Sequence, residues 1–365
     1  MLKILLLVII IIHGLIHLLG FVKAFNLARV SKLTAIISRP LGIIWLLATI
    51  LFILSALILL TGNDWWWIIA AVAVLISQIL IITSWHDARF GTIPNIIILL
   101  AIIAGYGYFS FENSFRSDLT TELSRSSDKK TDLLTENDIL HLPLPVRNYL
   151  RYTGVLNKEK LKNIKIEFEG EMRDKGKDWF KFTSVQYNFF DQPARLFYMK
   201  GKMYGMTVPG YHKFTNSRAS MDIRLFGLIP VIKADGPIMN KAETVTCFND
   251  MCLMAPASLI DKRIRWENRD STSAKAFFTN GEITISAILY FNRLGQLTDF
   301  ESDDRTAVST MKGYKFTTPV SEYKNINGIN IVTRGDAVWH YPEGKFTYGK
   351  FHLKSVEYNV TGSCP

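Results

Sequence analysis

The chain changes character once. Up to about residue 110 it is a series of apolar runs with almost no charge, and beyond Glu112 polar and apolar positions alternate. The apolar runs are Leu2–Val22, Leu41–Leu60, Trp65–Thr83 and Ile93–Phe109. Each is close to the ~20 residues that carry a helix across the hydrocarbon core of a bilayer. Lys3 ahead of the first run gives it the look of a secretory signal. No small-x-small cleavage site follows it and three further runs do, so it reads as an uncleaved first helix. Trp65, Trp66, Trp67 and Trp85 bracket the third run, and Tyr106 and Tyr108 lie near the end of the fourth. Such rings gather at membrane interfaces. The expectation is a four-helix transmembrane region over residues 1–111.

Past this region the period becomes two. Ile164, Ile166, Phe168 and Met172 fall on one face, with Lys165, Glu167, Glu169, Glu171 and Arg173 on the other, as in a half-buried strand. Comparable runs cover 180–190, 195–204, 207–214, 220–227, 264–269, 274–279, 282–291, 297–303, 314–324, 329–340 and 345–360. Asn280-Gly281 and Asn327-Gly328 are hairpin turns. In the last run the apolar register slips, which predicts one bulge near Gly349 and another near Lys354–Ser355. Residues 238–260 break the alternation. Val245, Phe248, Met251 and Cys252 recur there at helical spacing, and Pro256 ends or kinks the helix. Ahead of the strands, Pro145 and Gly154 bound a short helix whose face is Val146, Tyr149 and Leu150.

The predicted fold is therefore a membrane α-helical anchor plus an α+β domain: a curved antiparallel half-barrel around one central helix, with an apolar hollow. The domain spans residues 132–365, and the polar stretch 112–131 reads as a solvated linker.

Charge sets the topology. The net charge of +10 could signal nucleic acid, but part of it lies in short loops beside the spans, and no nucleic-acid module is present. The first loop carries Lys23, Arg29, Lys32 and Arg39 without an acid. The Thr61–Asp64 turn carries only an acid, and Ser84–Thr92 sets Arg89 against Asp87, a pair expected to interact. Basic loops stay cytoplasmic. The N-terminus and residues 112–365 then lie outside the inner membrane, with Lys3 the one opposing charge. Membrane lipids are the expected partners, with a hydrophobic ligand or envelope proteins beside them.

Candidate chemistry is sparse. His13 and His17 share one helix face. They read either as a haem, metal or proton-relay pair, or as neutral imidazoles bonding neighbouring helices; no second histidine pair lies in the other spans. Cys247 and Cys252, five apart on a helix, read as free and buried, and Cys364 as terminal. There is no Cys-x-x-Cys pair, nucleophile elbow, His-Glu-x-x-His or phosphate-binding glycine loop, so neither a cofactor nor a metal is expected and catalysis is not assigned. His141, His212, His340 and His352 fall in different elements. Asp299, Asp303 and Asp304 beside Arg305 read as a solvated strand end. The candidate ligand-binding set is Arg173, Trp179, Gln186, Trp266, Arg305 and Trp339: polar groups to hold a head group and aromatics to line a wall.

One resemblance follows from these residues. Leu142-Pro-x-Pro-Val-x-x-Tyr149, Gly170-x-Met-Arg173, Trp179-x-x-Phe182-x-x-x-Gln186, Gly227-x-x-Pro230-Val, Pro256, Trp266, Arg305, Gly335-x-x-x-Trp339 and Phe346-x-Tyr348 resemble a bacterial membrane-anchored family of unknown function. The loop Asp87-Ala-Arg-Phe-Gly-Thr-x-Pro-Asn95 is similar to the membrane half of some members. More distantly, the half-barrel is similar to periplasmic lipoprotein carriers, which hold acyl chains. The family brings no established activity or catalytic residues; the apolar hollow of the half-barrel is what predicts a membrane-tethered, non-catalytic module for a lipid or other hydrophobic ligand. The alternatives are an enzyme acting on a lipid or envelope substrate, and a docking protein of an envelope assembly.

Overall fold

The computed structural model describes residues 2–31, 33–126, 132–203, 205–308 and 310–362. Cys364 lies outside them. The chain separates into two compact units, 1–111 with 226–228, and 112–225 with 229–365.

The first unit holds α1 (Leu2–Ala24), α2 (Arg39–Thr61), α3 (Trp66–Thr83), a single turn α4 (Trp85–Ala88) and the start of α5 (Thr92–Arg125). Four helices are long and apolar enough to cross a membrane. Ser38 caps α2, Pro40 sits in its first turn and Gly62, at φ 77°, ends it. A Cβ added at Gly14 would run into Phe52, and one at Gly20 into Trp45. Small residues thus let α1 and α2 approach closely, as packing between spans requires.

The polar residues of the spans find one another. His13 Nε2 donates to Asn95 Oδ1 at 2.8 Å, and Ser77 Oγ donates to the same oxygen at 3.1 Å. Asn95 Nδ2 donates to Gln78 Oε1 at 3.0 Å, and Gln78 Nε2 to Thr92 Oγ1 at 3.2 Å. His17 Nδ1 donates to the His13 carbonyl at 2.9 Å. His13 therefore bonds a neighbouring helix, as the second of the two readings expects, whereas the His17 bond stays within α1 and its Nε2 is buried without a partner among the described residues. Asp87 does not pair with Arg89. It accepts from the amides of Thr34 at 2.5 Å and Ala35 at 2.8 Å, because a carboxylate can collect several donors of an adjacent loop, while Arg89 lies over the Phe90 ring.

The second unit opens with the end of α5. Glu112–Arg125, expected as a solvated linker, is helical. The reason is an apolar stripe hidden among polar residues: Phe111, Phe115 and Leu119 recur every four positions and are buried. Phe115 stacks on Tyr198 with centroids 5.4 Å apart and meets Tyr211 edge-on at 5.5 Å. Asp118 accepts from Tyr211 Oη at 2.9 Å and Lys213 Nζ at 2.7 Å. Next come one turn, α6 (Glu136–Ile139), and α7 (Leu144–Thr153), with Val146, Tyr149 and Leu150 fully buried.

The strands are β1 (Asn163–Met172), β2 (Phe180–Phe189), β3 (Ala194–Met203), β4 (Met206–Thr215), β5 (Arg218–Leu225) and β6 (Ile229–Asp235). After α8 (Pro237–Met254) follow β7 (Ile264–Asn268), β8 (Ser273–Asn280), β9 (Ile283–Phe291), β10 (Leu297–Ser302), β11 (Thr306–Ala307), β12 (Lys312–Gly313), β13 (Lys315–Thr317), β14 (Val320–Ile326), β15 (Ile329–Tyr341) and β16 (Gly344–Tyr358). β11 and β12 pair with each other; the rest form one antiparallel sheet of 14 strands, ordered β6-β5-β4-β3-β2-β1-β16-β15-β13-β10-β9-β8-β7 with β14 on β15. The edge strands β6 and β7 are joined through α8 and are not paired, so the sheet stays open as a half-barrel. The long run expected over 314–324 is two strands, broken at Pro319, which supplies no amide to a ladder. β6 went unread because its exposed Ile229-Pro-Val-Ile does not alternate.

Both bulges occur. Opposite Ala337–Val338 the register of β16 skips Tyr348, and opposite Glu167–Phe168 it skips Lys354. Each inserted residue brings the next apolar side chain back to the inner face.

The apolar hollow is filled. Phe248, Phe278 and Phe300 are fully buried between α8 and the sheet, with Ile164, Ile166 and Leu289 around them. Phe248 stacks on Phe278 at 5.3 Å. Tyr149 reaches from α7 to donate to the Cys252 carbonyl of α8 at 2.9 Å. Helical spacing turns Phe248 of α8 inward to meet Phe278 of β8 and Phe300 of β10, and the volume of these rings occupies the space that curvature created.

Candidate functional site

Four of the six candidate residues meet on one continuous run of aromatic rings. Phe316 of β13, Trp339 of β15 and Phe346 of β16 are direct cross-strand neighbours. Tyr341 and Tyr348 extend the same face by the period of two. Trp339 stacks on Tyr348 at 5.9 Å and on Tyr341 at 6.4 Å, and Tyr341 meets Phe346 at 6.1 Å. A cation stands at each end of this row. The Arg305 guanidinium lies 3.9 Å from the Phe316 centroid, 5.4 Å from Trp339 and 5.8 Å from Tyr348. The Arg173 guanidinium lies 4.3 Å from Trp179 and 4.9 Å from Phe346, and its Nε donates to the Thr347 carbonyl at 3.0 Å. Lys350 Nζ covers the Trp179 ring at 4.7 Å. No carboxylate of a described residue forms an ion pair with either arginine. A guanidinium on a ring face keeps in-plane donors free for an anion.

Gln186 and Trp266 do not join this row. Trp266 sits on the edge strand β7, part-buried against the main core, with Nε1 buried and unbonded. Gln186 belongs to a buried polar network. Arg195 donates through Nε to Asp250 Oδ2 at 2.7 Å, through Nη2 to Gln186 Oε1 at 3.0 Å and through Nη1 to Glu243 Oε2 at 3.3 Å. Gln186 Nε2 donates to Asp250 at 2.7 Å and to Asn188 Oδ1 at 2.8 Å. His212 Nδ1 lies 3.8 Å from Glu243 Oε1. Burial would raise the Glu243 carboxyl, but His212, Arg195 and Arg305 hold it down to about 2. Burial, with Asp250 adding to it, pushes the Cys247 thiol up to about 12, so no thiolate nucleophile stands here.

Of the other groups singled out in the sequence, Asp304 is taken by Lys241 Nζ at 2.6 Å and the Ser286 amide at 2.7 Å. His340 Nε2 bonds Thr317 Oγ1 at 2.9 Å, remote in register from His212. The Arg195 network went unread because its members are scattered over β2, β3 and α8; the only local hint is Asn249-Asp250 inside an apolar helix. The aromatic row was more legible. Tyr314, Phe316, Trp339, Tyr341, Phe346 and Tyr348 are spaced by two, and only the pairing of β13, β15 and β16 makes one surface of them.

Two cavities open elsewhere, about 490 Å³ between α7 and the β9–β10 turn and about 210 Å³ beside Val155 and Tyr358. Neither is lined by any of the six candidate residues.

Comparison with known proteins adds a family. A model described as a family of unknown function, DUF6544, matches residues 132–351, more than half of the chain. No curated protein matches. Among solved structures, a LolA superfamily protein, NE2245 from Nitrosomonas europaea, is similar at 9% identity and a TM-score of 0.38, over 60% of this chain and 94% of that one.

Proposed function

The chain belongs to this family of unknown function, and we propose that it is a membrane-tethered, non-catalytic module whose sheet binds an anionic lipid or a similar amphiphile along the aromatic row. The helices anchor it in the inner membrane with the basic first loop in the cytoplasm, which leaves residues 112–365 outside. The observation that carries the reading is the pair of arginines, Arg173 and Arg305, stacked at the two ends of one row of rings, neither in an ion pair with a carboxylate of a described residue, although the Arg305 charge is felt by the buried Glu243. The head group would sit on the guanidinium edges and the acyl chain along the part-exposed Tyr341, Phe346 and Tyr348, with the buried Trp339 and Phe316 as the support beneath them. This differs from a carrier with an enclosed hollow, because the interior is occupied by core side chains.

A second reading, docking in an envelope assembly, is favoured by the unpaired edge strand β6. It leaves Ile229 at 57% and Val231 at 61% exposure, unusual for large apolar residues on a sheet edge. The enzyme reading has less support, since neither histidine–carboxylate approach among the described residues, His212 to Glu243 or His86 to Asp87, lines either cavity.

The test uses full-length protein in dodecyl maltoside, titrated with phosphatidylglycerol and read by native mass spectrometry. The helices bind lipid as well, so the informative quantity is a difference. Wild type should hold one lipid more than the Arg173→Gln/Arg305→Gln double variant. Equal lipid counts in two folded samples would refute the proposal.

A further inference from the structure

We infer that the cleft of about 490 Å³ beside α7 is a separate binding site, for a small molecule with a flat apolar body and one anionic head. It shares no residue with the aromatic row, so it stands apart from the reading above.

The cleft lies in the range of small-molecule sites, and its walls are preset. Phe291, 5% exposed, and buried Pro145 form an apolar floor anchored in the core. Gly295 sits at φ 82°, and a Cβ there would meet the Asn148 carbonyl at 2.9 Å. The β9–β10 turn therefore lies directly on the α7 backbone, which only glycine permits. The turn is braced from within: Asn292 Oδ1 accepts from the amides of Leu294 and Gln296, both at 3.0 Å.

The rim is basic and supplies donors. Arg151 donates Nε and Nη2 to Glu136 at 3.0 and 2.9 Å, which fixes the guanidinium plane and leaves Nη1 unclaimed. Arg293 makes no ion pair or hydrogen bond with a described side chain. Tyr152 Oη accepts from Gln296 Nε2 at 2.6 Å, so its own hydrogen is available to a ligand. No carboxylate lines the cleft. An apolar floor under these donors selects an amphiphilic anion: the ring rests on Phe291 and Pro145, and the charge meets Arg293, with Nη1 of the Glu136-paired Arg151 as a further donor. The family-like segment Leu142-Pro-x-Pro-Val-x-x-Tyr149, which the aromatic row leaves unexplained, supplies Pro145 and Asn148 to this cleft.

The test uses full-length protein in detergent and two probes differing only in the head, 4-methylumbelliferyl phosphate and uncharged 4-methylumbelliferone, followed by equilibrium fluorescence. Saturable one-to-one binding of the phosphate is expected, about tenfold weaker for the uncharged ring and for Arg293→Gln. The exposed Asn148→Trp, which fills the cleft, should abolish it. Arg305→Gln should leave it unchanged, which separates this site from the lipid-binding row. Equal affinity for the two probes, an affinity unmoved by Arg293→Gln, or no saturable binding would overturn the inference.

Discussion

Asp299 offers a direct test of the electrostatics of the sheet. It follows a register shift in β10, its Oδ1 is buried without a partner, and burial raises its pKa from the ordinary 3.8 to about 6. The amides of Phe300 and Thr318 and the Lys345 charge act the other way and do not offset the desolvation; Glu301 adds to it. A raised folded-state pKa means that the folded protein holds its proton more tightly than the unfolded chain. Stability should be greatest below pH 4 as far as this group is concerned, and should fall as the pH rises from about 4 through 6. The shift of about two units corresponds to roughly 3 kcal/mol at 1.36 kcal/mol per unit. Part of the carboxyl is open to solvent, so screening reduces this to about 1–2 kcal/mol. Asp299→Asn keeps an oxygen for the two amides and removes the charge. At pH 7.5 the variant should melt about 2–8 °C higher than wild type, taking about 2–4 °C per kcal/mol for a unit of this size. At pH 4 the two should coincide. The assay is intrinsic-fluorescence melting of the full-length protein over a pH series. A pH-independent gap, or a variant less stable at pH 7.5, would refute the argument.

Other predictions follow from the packing. Arg195→Met leaves Asp250 and Glu243 buried without their cation and should cost about 3–5 kcal/mol, seen as a lower melting temperature; adding Asp250→Leu should recover part of the loss. Phe115→Ala removes the ring between Tyr198 and Tyr211 and should cost about 3 kcal/mol, with faster amide exchange over 112–125 as the direct readout. Asn95→Ala strips three interhelical hydrogen bonds worth roughly 0.6 kcal/mol each. It should lower the denaturation midpoint in mixed micelles and leave the melting of the sheet unit unchanged.

The aromatic row and the Arg195 network show where legibility stops. Trp339 within β15, and Arg305, Arg173 and Trp179 one residue outside strands, stand out along the chain as large or charged residues. Gln186 stands out as a polar residue on a strand beside aromatics, yet it serves a different cluster. Local pattern reports which face a side chain takes, not which strand lies beside it. Arg195, Asp250 and Glu243 are separated by up to 55 residues, and no spacing rule links them.

By itself the sequence determined what short-range physics controls. Apolar run lengths set four helices long enough to span a bilayer, and the period of two set most strands. Asn-Gly pairs, at Asn327 and Gly328 with φ 54° and 77°, fixed a hairpin, and slips in register announced both bulges of β16. Three matters were left to the tertiary structure. The stretch after Glu112 became helix because Phe115 and Leu119 found a sheet face to bury against, a partner absent from local composition. The hollow of the half-barrel was filled because the sizes of Phe248, Phe278 and Phe300 add up only when α8 is in place. Four of the candidate residues came together, while Gln186 and Trp266 went elsewhere, because β1 pairs with β16, a contact between opposite ends of the domain that sequence distance hides and side-chain burial enforces.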